Sequence, residues 1–466
     1  MQERLAKLNK IREMGVEPYG NKFVRSHNFK QLLEDFKENK EVRVSGRIMA
    51  LRGHGKAGFL DIQDINDRMQ VYVKKDNLSE DNFLLFKNLD IGDIIGLEGS
   101  LFITRKEEKS IKAANLFLLS KSLKPLPEKW HGLKDTEIRY RRRCLDLITN
   151  SSAKRVFLTR SKIINQIREF LKQREFIEVE TPMLQSLAGG AKAKPFVTHY
   201  NSLNCDVYLR IAPELYLKRL LVGGLEKIYE LNRSFRNEGI SAVHNPEFTM
   251  LEVYESYADY KDMMRLSEEL IIDLANRIYN SENVEWRGKQ ISLKPPWARV
   301  PFYDTLKKET GIDFQDKNLD FKKAAMKLGV VLNEDLSPSD ILNNIFDKFV
   351  QPKLIEPTFV TDYPTFLCPL ARAKKDMPQI SERFEVFVGG QELANGYSEL
   401  NDPLEQRRRF EEQGGEIDED FLAALEQGMP PAGGLGIGID RLIMLLTNKN
   451  SIREVLLFPQ LKPLKG

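Results

Sequence analysis

Residues 226–257 read EKIYELNRSFRNEGISAVHNPEFTMLEVYESY. Two alternating runs flank a loop of Asn, Gly, Ser and Pro, the pattern of two antiparallel strands and their connection. Period two puts Asn232 and Arg236 on one face, and Phe248, Glu252 and Tyr254 on one face of the return strand. A buried charge needs a partner or a ligand. An inward Arg and Glu flanking a Phe therefore point to a ligand site, with a surface hairpin laced by salt bridges as the alternative.

Working outward, Val156, Ile163, Ile164, Ile167, Phe170 and Leu171 form the apolar stripe of a long helix, and the strand-like FIEVETPML follows at 176–184. Pro182 ends that strand because it offers no amide to a ladder. Helical spacing returns at 262–280, 319–329 and 338–349, and strand patterns at 358–363 and 382–400. Helices around a largely antiparallel sheet make the larger part of the chain α+β.

The first forty residues read as two short helices, carried by Leu5, Leu8, Ile11 and Met14, then by Phe29, Leu32, Leu33 and Phe36. From Val42 the period changes to two, and five short strand patterns fit a small barrel of the OB type, a scaffold for single-stranded nucleic acid. Residues 122–143, SLKPLPEKWHGLKDTEIRYRRR, read as a connector that ends in cations. The division expected is an N-terminal helical segment 1–40, a barrel 41–125, a linker 126–150 and a second domain 151–466.

At 466 residues the chain is too long for one ordinary core. Residues 1–150 carry 29 Lys and Arg against 22 Asp and Glu, and the remainder 42 against 46. The basic front suits a polyanion, and a solvated lysine-rich surface explains it equally well. No run approaches the roughly 20 apolar residues of a membrane span, and the start, MQERLAKLNK, has no apolar leader; a cytoplasmic chain is expected. Cys144, Cys205 and Cys368 lie far apart without metal spacing and read as buried thiols.

Three segments carry a resemblance. Phe235–Arg236–Asn237–Glu238 resembles the F-R-x-E core of motif 2 of class II aminoacyl-tRNA synthetases. GLGIGIDR, Gly434 to Arg441, resembles motif 3, and the helix, strand and Pro182 above resemble motif 1. Within the class, RIAPELYLKRL at 210–220, FRNEGISAVHNPEFTMLE at 235–252 and GGQELANGYSELNDP at 389–403 are similar to the lysine enzymes of bacterial type, along almost the whole chain. There is no HIGH, KMSKS or GxxxxGK[ST] sequence, which disfavours a class I synthetase or a P-loop ATPase.

The resemblance implies ATP-dependent activation of L-lysine to lysyl adenylate, then transfer to the 3′ end of tRNA(Lys), by a homodimer. It implies that Arg236 bridges carboxylate and α-phosphate and that Arg441 holds the γ-phosphate, as the catalytic pair. Phe248 would stack on adenine, with Glu238, His244 and Asn245 around base and phosphates. Glu385 and Glu392 match the ligands of Mg²⁺, a hard ion that takes one or two carboxylates beside phosphate oxygens. Asn395, Tyr397 and Glu399 would select lysine, Glu399 meeting the ε-ammonium. Gly190 and Glu214 would hold the α-amino group, with Glu252, Tyr254 and Gly436 completing the pocket. In the barrel, Phe59 and Gln70 match positions that read the anticodon, while Asn115 departs from the acidic residue usual there.

Two geometric expectations follow. A two-residue turn at Gly389–Gly390 pairs residue 387 with Glu392, so Glu392 shares a face with Glu385. Strict alternation then puts Glu392 opposite Asn395, Tyr397 and Glu399, so a β-bulge or kink is expected near Ala394 to Gly396. The competing readings are an aspartate or asparagine ligase of the same subclass, which needs a cation where Glu399 stands, and an inactive tRNA-binding paralogue, against which Arg236, Glu392, Glu399 and Arg441 argue. A paralogue that lysylates protein lacks the barrel.

Overall fold

Alternation of apolar and polar residues builds the first of two compact units, Met1–Lys134. The computed structural model describes residues 1–127, 135–191, 193–316, 318–331, 336–414 and 416–463. Strands β1 (Glu41–His54), β2 (Ala57–Gln63), β3 (Arg68–Lys74), β4 (Ile94–Ile103) and β5 (Lys109–Ser120) close into a barrel in the order β1-β2-β3-β5-β4. Inward residues such as Leu60, Ile62, Val71 and Val73 are wholly buried. Helices α1 (Gln2–Glu13) and α2 (Phe29–Glu34) stand where the spacing puts them. Helix α3 (Glu80–Asn88), between β3 and β4, has no counterpart in the sequence reading. Ser79 caps it, and Phe83, Leu85 and Phe86 seat it. The unbroken apolar run Phe83 to Phe86 hides its helical period.

The second unit is Asp135–Gly466. Of the stretch expected as linker, 128–134 lies outside the described residues, while α4 (Thr136–Arg141) and α5 (Arg143–Thr149) are helical. Helix α6 (Ser151–Lys172), capped by Asn150, buries the predicted Val156, Ile163, Ile167, Phe170 and Leu171. Strand β6 (Ile177–Glu178) follows, and β7 (Leu184–Gln185), β8 (Phe196–Tyr200) and β9 (Cys205–Leu209) form a small separate sheet. Helix α7 (Glu214–Val222) leads into β10 (Lys227–Phe235) and β11 (Glu247–Ser256), the hairpin of the opening segment, and α8 (Tyr260–Tyr279) follows.

Residues 281–357 supply the hairpin β12 (Asn283–Trp286) and β13 (Lys289–Ser292), strand β14 (Ala298–Pro301), and helices α9 (Phe302–Thr310), α10 (Phe321–Lys327) and α11 (Pro338–Phe349). This segment is part of the core: Phe302, Ile345 and Phe346 pack in one cluster with Val360 and Phe387. Then come β15 (Thr358–Thr361), the hairpin β16 (Ala373–Lys374) and β17 (Met377–Ser381), β18 (Arg383–Val388) and β19 (Gln391–Ser398). Helices α12 (Pro403–Gln413) and α13 (Glu419–Glu426), strand β20 (Ala432–Gly438) and helix α14 (Ile439–Leu446) complete the unit's main elements.

The central sheet runs β14-β15-β18-β19-β20-β11-β10-β6. Its six inner strands are antiparallel as expected, and both edge strands pair in parallel, so the sheet is mixed. One face carries Leu251, Val253, Phe384, Val386, Leu435 and Ile437 against the apolar faces of α6, α8 and α14. The polar face is left for chemistry. Of the cysteines, Cys368 is buried as expected, but Cys144 and Cys205 are exposed. Cys205 lies on β9, whose small sheet leaves most of its side chains open to solvent.

Gly389 and Gly390 form the two-residue turn, both with positive φ, between the paired Val388 and Gln391. The Trp286 indole donates to the Gly389 carbonyl at 3.0 Å and lies where a Cβ at 389 would fall, 2.5 Å from Trp286 Cδ1. Gly389→Ala is therefore expected to destabilise this unit by about 1–3 kcal/mol. Denaturant unfolding followed by the tryptophan signal measures it; an unchanged midpoint would refute the close approach.

Candidate active site

Register places the polar residues of the sheet in rows. Glu385, Asn395, Gly436, Glu252 and Glu230 stand side by side across five strands, and Arg383, Tyr397, Gly434, Tyr254 and Ile228 form the next row. The glycines of β20 keep the centre of this face clear. A Cβ at Gly434 would run into Glu399 Oε1 and come within 2.8 Å of Tyr254, and one at Gly436 would lie 3.3 Å from both Glu252 oxygens.

The expected irregularity in β19 lies upstream of the predicted place. The strand pairs regularly through Gly396, and the register shifts where Phe387 pairs Glu392 and Val386 pairs Ala394, so Leu393 is the extra residue. Leu393 and Ala394 are both buried, and Glu392, Asn395 and Tyr397 all stay partly open on the same side. The extra residue follows closely on the turn, whereas the sequence reading attached it to Asn-Gly.

An open cleft of about 140 Å³ is lined by Arg236, His244, Phe248, Glu392, Asn395 and Arg441, among others. Arg236 follows β10 directly. Its guanidinium lies 5.1 Å from the centre of the Phe248 ring, its Nε is buried without a partner, and it makes no ion pair among the described residues. Burial depresses its pKa, with Glu392 and Glu238 opposing. A desolvated guanidinium stays charged and acts as a strong anion receptor.

Arg441 opens α14 beside Asp440, which bonds Arg160 at 2.6 Å and accepts from the Thr249 amide at 2.8 Å. Helix α6, strand β11 and helix α14 are thereby pinned together. Arg441 Nη1 meets Glu392 Oε2 at 3.0 Å and its Nη2 meets His244 Nε2 at 3.2 Å. His244 is pushed down, first by burial and then by the Arg441 charge. Glu238 is exposed at the cleft rim. Asn245 is buried, with its amide bonded to the Glu247 carbonyl at 2.6 Å, so it braces the loop.

Glu385 receives Arg383 at 2.5 Å and the Tyr363 hydroxyl at 2.7 Å. Burial pushes its carboxyl up to about 7, Arg383 pulling against this and Glu392 adding to it. For Glu392, burial acts upward, but Arg441 reverses it and holds the carboxylate below its usual range. Asp347 on α11 is pushed up to about 6 by burial and by Glu392. Among the described residues no group of three or more protein donors could hold a metal alone. Glu385 and Glu392, whose charges act on one another, are carboxylates of the kind that fits Mg²⁺ carried in with phosphates, which needs no fuller protein cage.

Beyond the cleft floor lies an acidic cluster. Glu399 is buried at 1% exposure, and Glu214, the first residue of α7, at 5%. The Tyr397 hydroxyl donates to Glu214 Oε1 at 2.6 Å, and Gly190 packs on Glu214, where a Cβ would lie 3.3 Å from Glu214 Cβ. The Tyr254 hydroxyl reaches Glu252 at 3.4 Å. Burial, with the Glu214 charge next, pushes Glu252 up to about 8. Sequence resemblance points to Glu214, Glu252, Tyr254, Tyr397 and Glu399 but not to Lys218, one helical turn after Glu214, whose Nζ contacts both Glu214 and Glu399. A lysine within an apolar helical pattern was the signal available. Asp440, Arg383 and Tyr363 were missed as well.

In the barrel unit, Phe59 lies 5.1 Å from Tyr72 and Tyr72 6.1 Å from Phe102, ring centre to ring centre, on the outer surface. Gln70 beside them donates to Glu108 at 2.9 Å and accepts from Ser110 at 3.2 Å. Asn115 donates to Glu98 at 3.0 Å.

Residues 135–462 match the family model of class II tRNA synthetases (D, K and N), and residues 42–119 that of the OB-fold nucleic acid binding domain. The chain is 52% identical to a lysine–tRNA ligase of Carboxydothermus hydrogenoformans over 99% of this chain and 97% of the relative. A lysine–tRNA ligase of Pelotomaculum thermopropionicum is 53% identical over 99% and 95%, and one of Moorella thermoacetica 51% over 99% and 98%. The chain belongs to the class II tRNA synthetases, in the group that comprises the D, K and N enzymes. Within that group its named relatives are the lysine ligases.

Glu252 gives a signed pH test. Its folded pKa, about 8, lies above the ordinary carboxylate value of 4.5, so the folded state keeps a proton that the unfolded state releases between these values. Its stabilising share is full below 4.5 and is lost as pH rises through about 8. Glu252→Gln should therefore melt higher than the parent at about pH 9, by on the order of 3 kcal/mol, with the gap closing toward pH 5. A gap that is the same at both pH values would remove the assignment.

Proposed function

We propose that the chain activates L-lysine with ATP and transfers the lysyl group to the 3′ end of tRNA(Lys). The observation that carries this is Glu399, a fully buried carboxylate on the sheet face that also carries the cleft of Arg236. A carboxylate at fixed depth selects an ammonium, and an uncharged or shorter side chain would leave it unpaired. An aspartate substrate would need an unpaired cation there, and the Lys218 ammonium beside Glu399 is already paired with Glu214 and Glu399.

In this reading Glu214 and Gly190 hold the α-amino group, and Asn395, Gly436, Glu252 and Tyr254 shape the pocket. Arg236 draws the lysine carboxylate and the α-phosphate together. A carboxylate oxygen attacks the α-phosphorus and pyrophosphate leaves; the terminal hydroxyl of tRNA then takes the lysyl group and AMP leaves. The charge that develops on the phosphorus oxygens is met by a fork of donors already held in place. Phe248 offers the ring for adenine, with Glu238, His244 and Asn245 in its loop, and Arg441 holds the γ-phosphate. Reaching that phosphate turns Arg441 from Glu392. Mg²⁺ at Glu385 and Glu392 would neutralise the pyrophosphate as it departs.

The Phe59, Tyr72 and Phe102 rings beside Gln70 form a stacking platform for unpaired anticodon bases. A homodimer accompanies this reading, supported by Ile177, Leu184 and Val197, which are 52%, 51% and 57% exposed on or near the motif 1 strand. Among the described residues no helix is long and apolar enough to cross a membrane, and the substrates proposed are those of the cytoplasm.

Amino-acid-dependent ATP–pyrophosphate exchange tests the reading. Lysine should drive exchange and aspartate should not, and Arg236→Ala should lower it by about a thousandfold while tRNA binding persists. Exchange driven by aspartate, or undiminished in Arg236→Ala, would overturn it.

A further inference from the structure

Lys218 has no part in the chemistry above, yet its side chain is wholly buried, with 0% exposure. Taking an ammonium out of water is costly unless it is closely paired. Four groups surround this one: Glu214 Oε1 at 2.7 Å, Glu399 Oε2 at 2.5 Å, the Leu370 carbonyl at 3.4 Å, and the Tyr397 ring, its centre 5.6 Å away. The helix makes the first contact, since Glu214 and Lys218 are four residues apart on α7. Tyr397 and Lys218 both take Glu214 Oε1, and Lys218 pairs with Oε2 of Glu399 by charge without hydrogen-bond geometry; neither Glu399 oxygen is hydrogen-bonded, and Oε1 has no partner of either kind, against Gly434.

We infer that Lys218 is a positioning residue for lysine recognition: it holds Glu214 and Glu399 by one oxygen each and leaves the second oxygen of Glu399 to the substrate's ε-ammonium. This rests on the assignment of Glu399 to that ammonium. Charge counting for the occupied pocket supports it. Glu252 keeps a proton in the empty pocket, and the two ammoniums of bound lysine would draw it off, so that Glu214, Glu252 and Glu399 face those two and Lys218 while the substrate carboxylate goes to Arg236. Without Lys218 one of the three carboxyls must keep its proton.

The titratable groups facing the pair are Glu214 on α7, Tyr397 on β19, and Glu252 and Tyr254 on β11. Burial holds Glu399 well above the usual carboxylate range, with Lys218 pulling against it and Glu214 adding to it. For Lys218 burial acts downward, but the Glu214 and Glu399 charges outweigh it and raise the ammonium above its ordinary value. Substituting an uncharged side chain removes that pull, so Glu399 would hold its proton to higher pH and bind an ammonium poorly.

The test is lysine-dependent exchange by the full chain, with KM and kcat measured from about pH 6.5 to 9 for wild type, Lys218→Met, Lys218→Gln and Glu399→Gln. The folded Lys218 variants should raise the KM for lysine by about tenfold or more near pH 7 while leaving the KM for ATP within about twofold. The acid limb of kcat/KM for lysine should move up by about one pH unit, equivalent to tenfold. Preference for lysine over its uncharged analogue 2-aminohexanoic acid should fall by about tenfold. A folded variant with wild-type KM, pH profile and preference overturns the inference, because a merely structural ion pair would alter stability alone. If Glu399→Gln leaves the lysine KM unchanged, the Glu399 assignment itself fails; if it raises the KM and Lys218→Met does not, only the role of Lys218 falls. Should neither Lys218 variant fold, Lys218→Ala in ethylammonium chloride serves. Restoration of the lysine KM by ethylammonium supports the inference, and competition with lysine alone overturns it.

Discussion

One extra residue in one strand sets the geometry of this site. Without the bulge at Leu393, pleating would turn Asn395 and Tyr397 to the helix-covered face, or else turn Glu392 there. Either outcome would bury an unpaired polar group among Phe384, Val386 and Ile437. With the bulge, β19 holds Glu392 beside Arg441 and keeps Asn395 and Tyr397 on the same open side, Tyr397 reaching Glu214. The tight turn at Gly389–Gly390 and the Trp286 contact beneath it fix where the bulge falls.

The charges on this face divide into those already satisfied and those left waiting. Glu385 is held by Arg383 and Tyr363, Arg441 by Glu392, and Asp440 by Arg160 and the Thr249 amide. Arg236 and Glu252 lack an ion-pair partner among the described residues, and Glu399 has one oxygen free. Desolvated groups left in this state carry a standing cost that a ligand of complementary charge relieves, so they mark where substrate groups bind. Their pattern, a free guanidinium between two acidic positions, is the complement of an amino acid with a second ammonium.

Much of this was legible because two periods, 3.6 and 2, govern the chain. The stripe of α6, the hairpin around Arg236 and the Gly389–Gly390 turn follow from spacing and turn chemistry alone. What escaped depends on tertiary contact. The apolar run Phe83 to Phe86 hides the period of helix α3, and the exposure of Cys205 depends on a small sheet that leaves its side chains open to solvent. The need for a bulge was readable from faces in conflict, but its address was not, because either the turn or the Asn-Gly step could absorb one residue. Lys218 escaped for a related reason: helical spacing shows that it follows Glu214, and only the fold brings Glu399 to the same ammonium.

The glycines of β20 join the two ends of the site in a way spacing could not reveal. In sequence, GLGIGIDR reads as small residues that admit a nucleotide. In space, Gly434 and Gly436 lie beneath Glu399, Tyr254 and Glu252. Their missing side chains leave room for those carboxylates, while Arg441 at the end of the same segment reaches Glu392 and His244. A single strand and the helix turn that follows it therefore set the depth of the acidic pocket and the reach of the arginine together. That coupling limits how far Arg236, which stands between them, can be from either reacting group, and bringing two anions together at fixed distance is the main task of this chemistry.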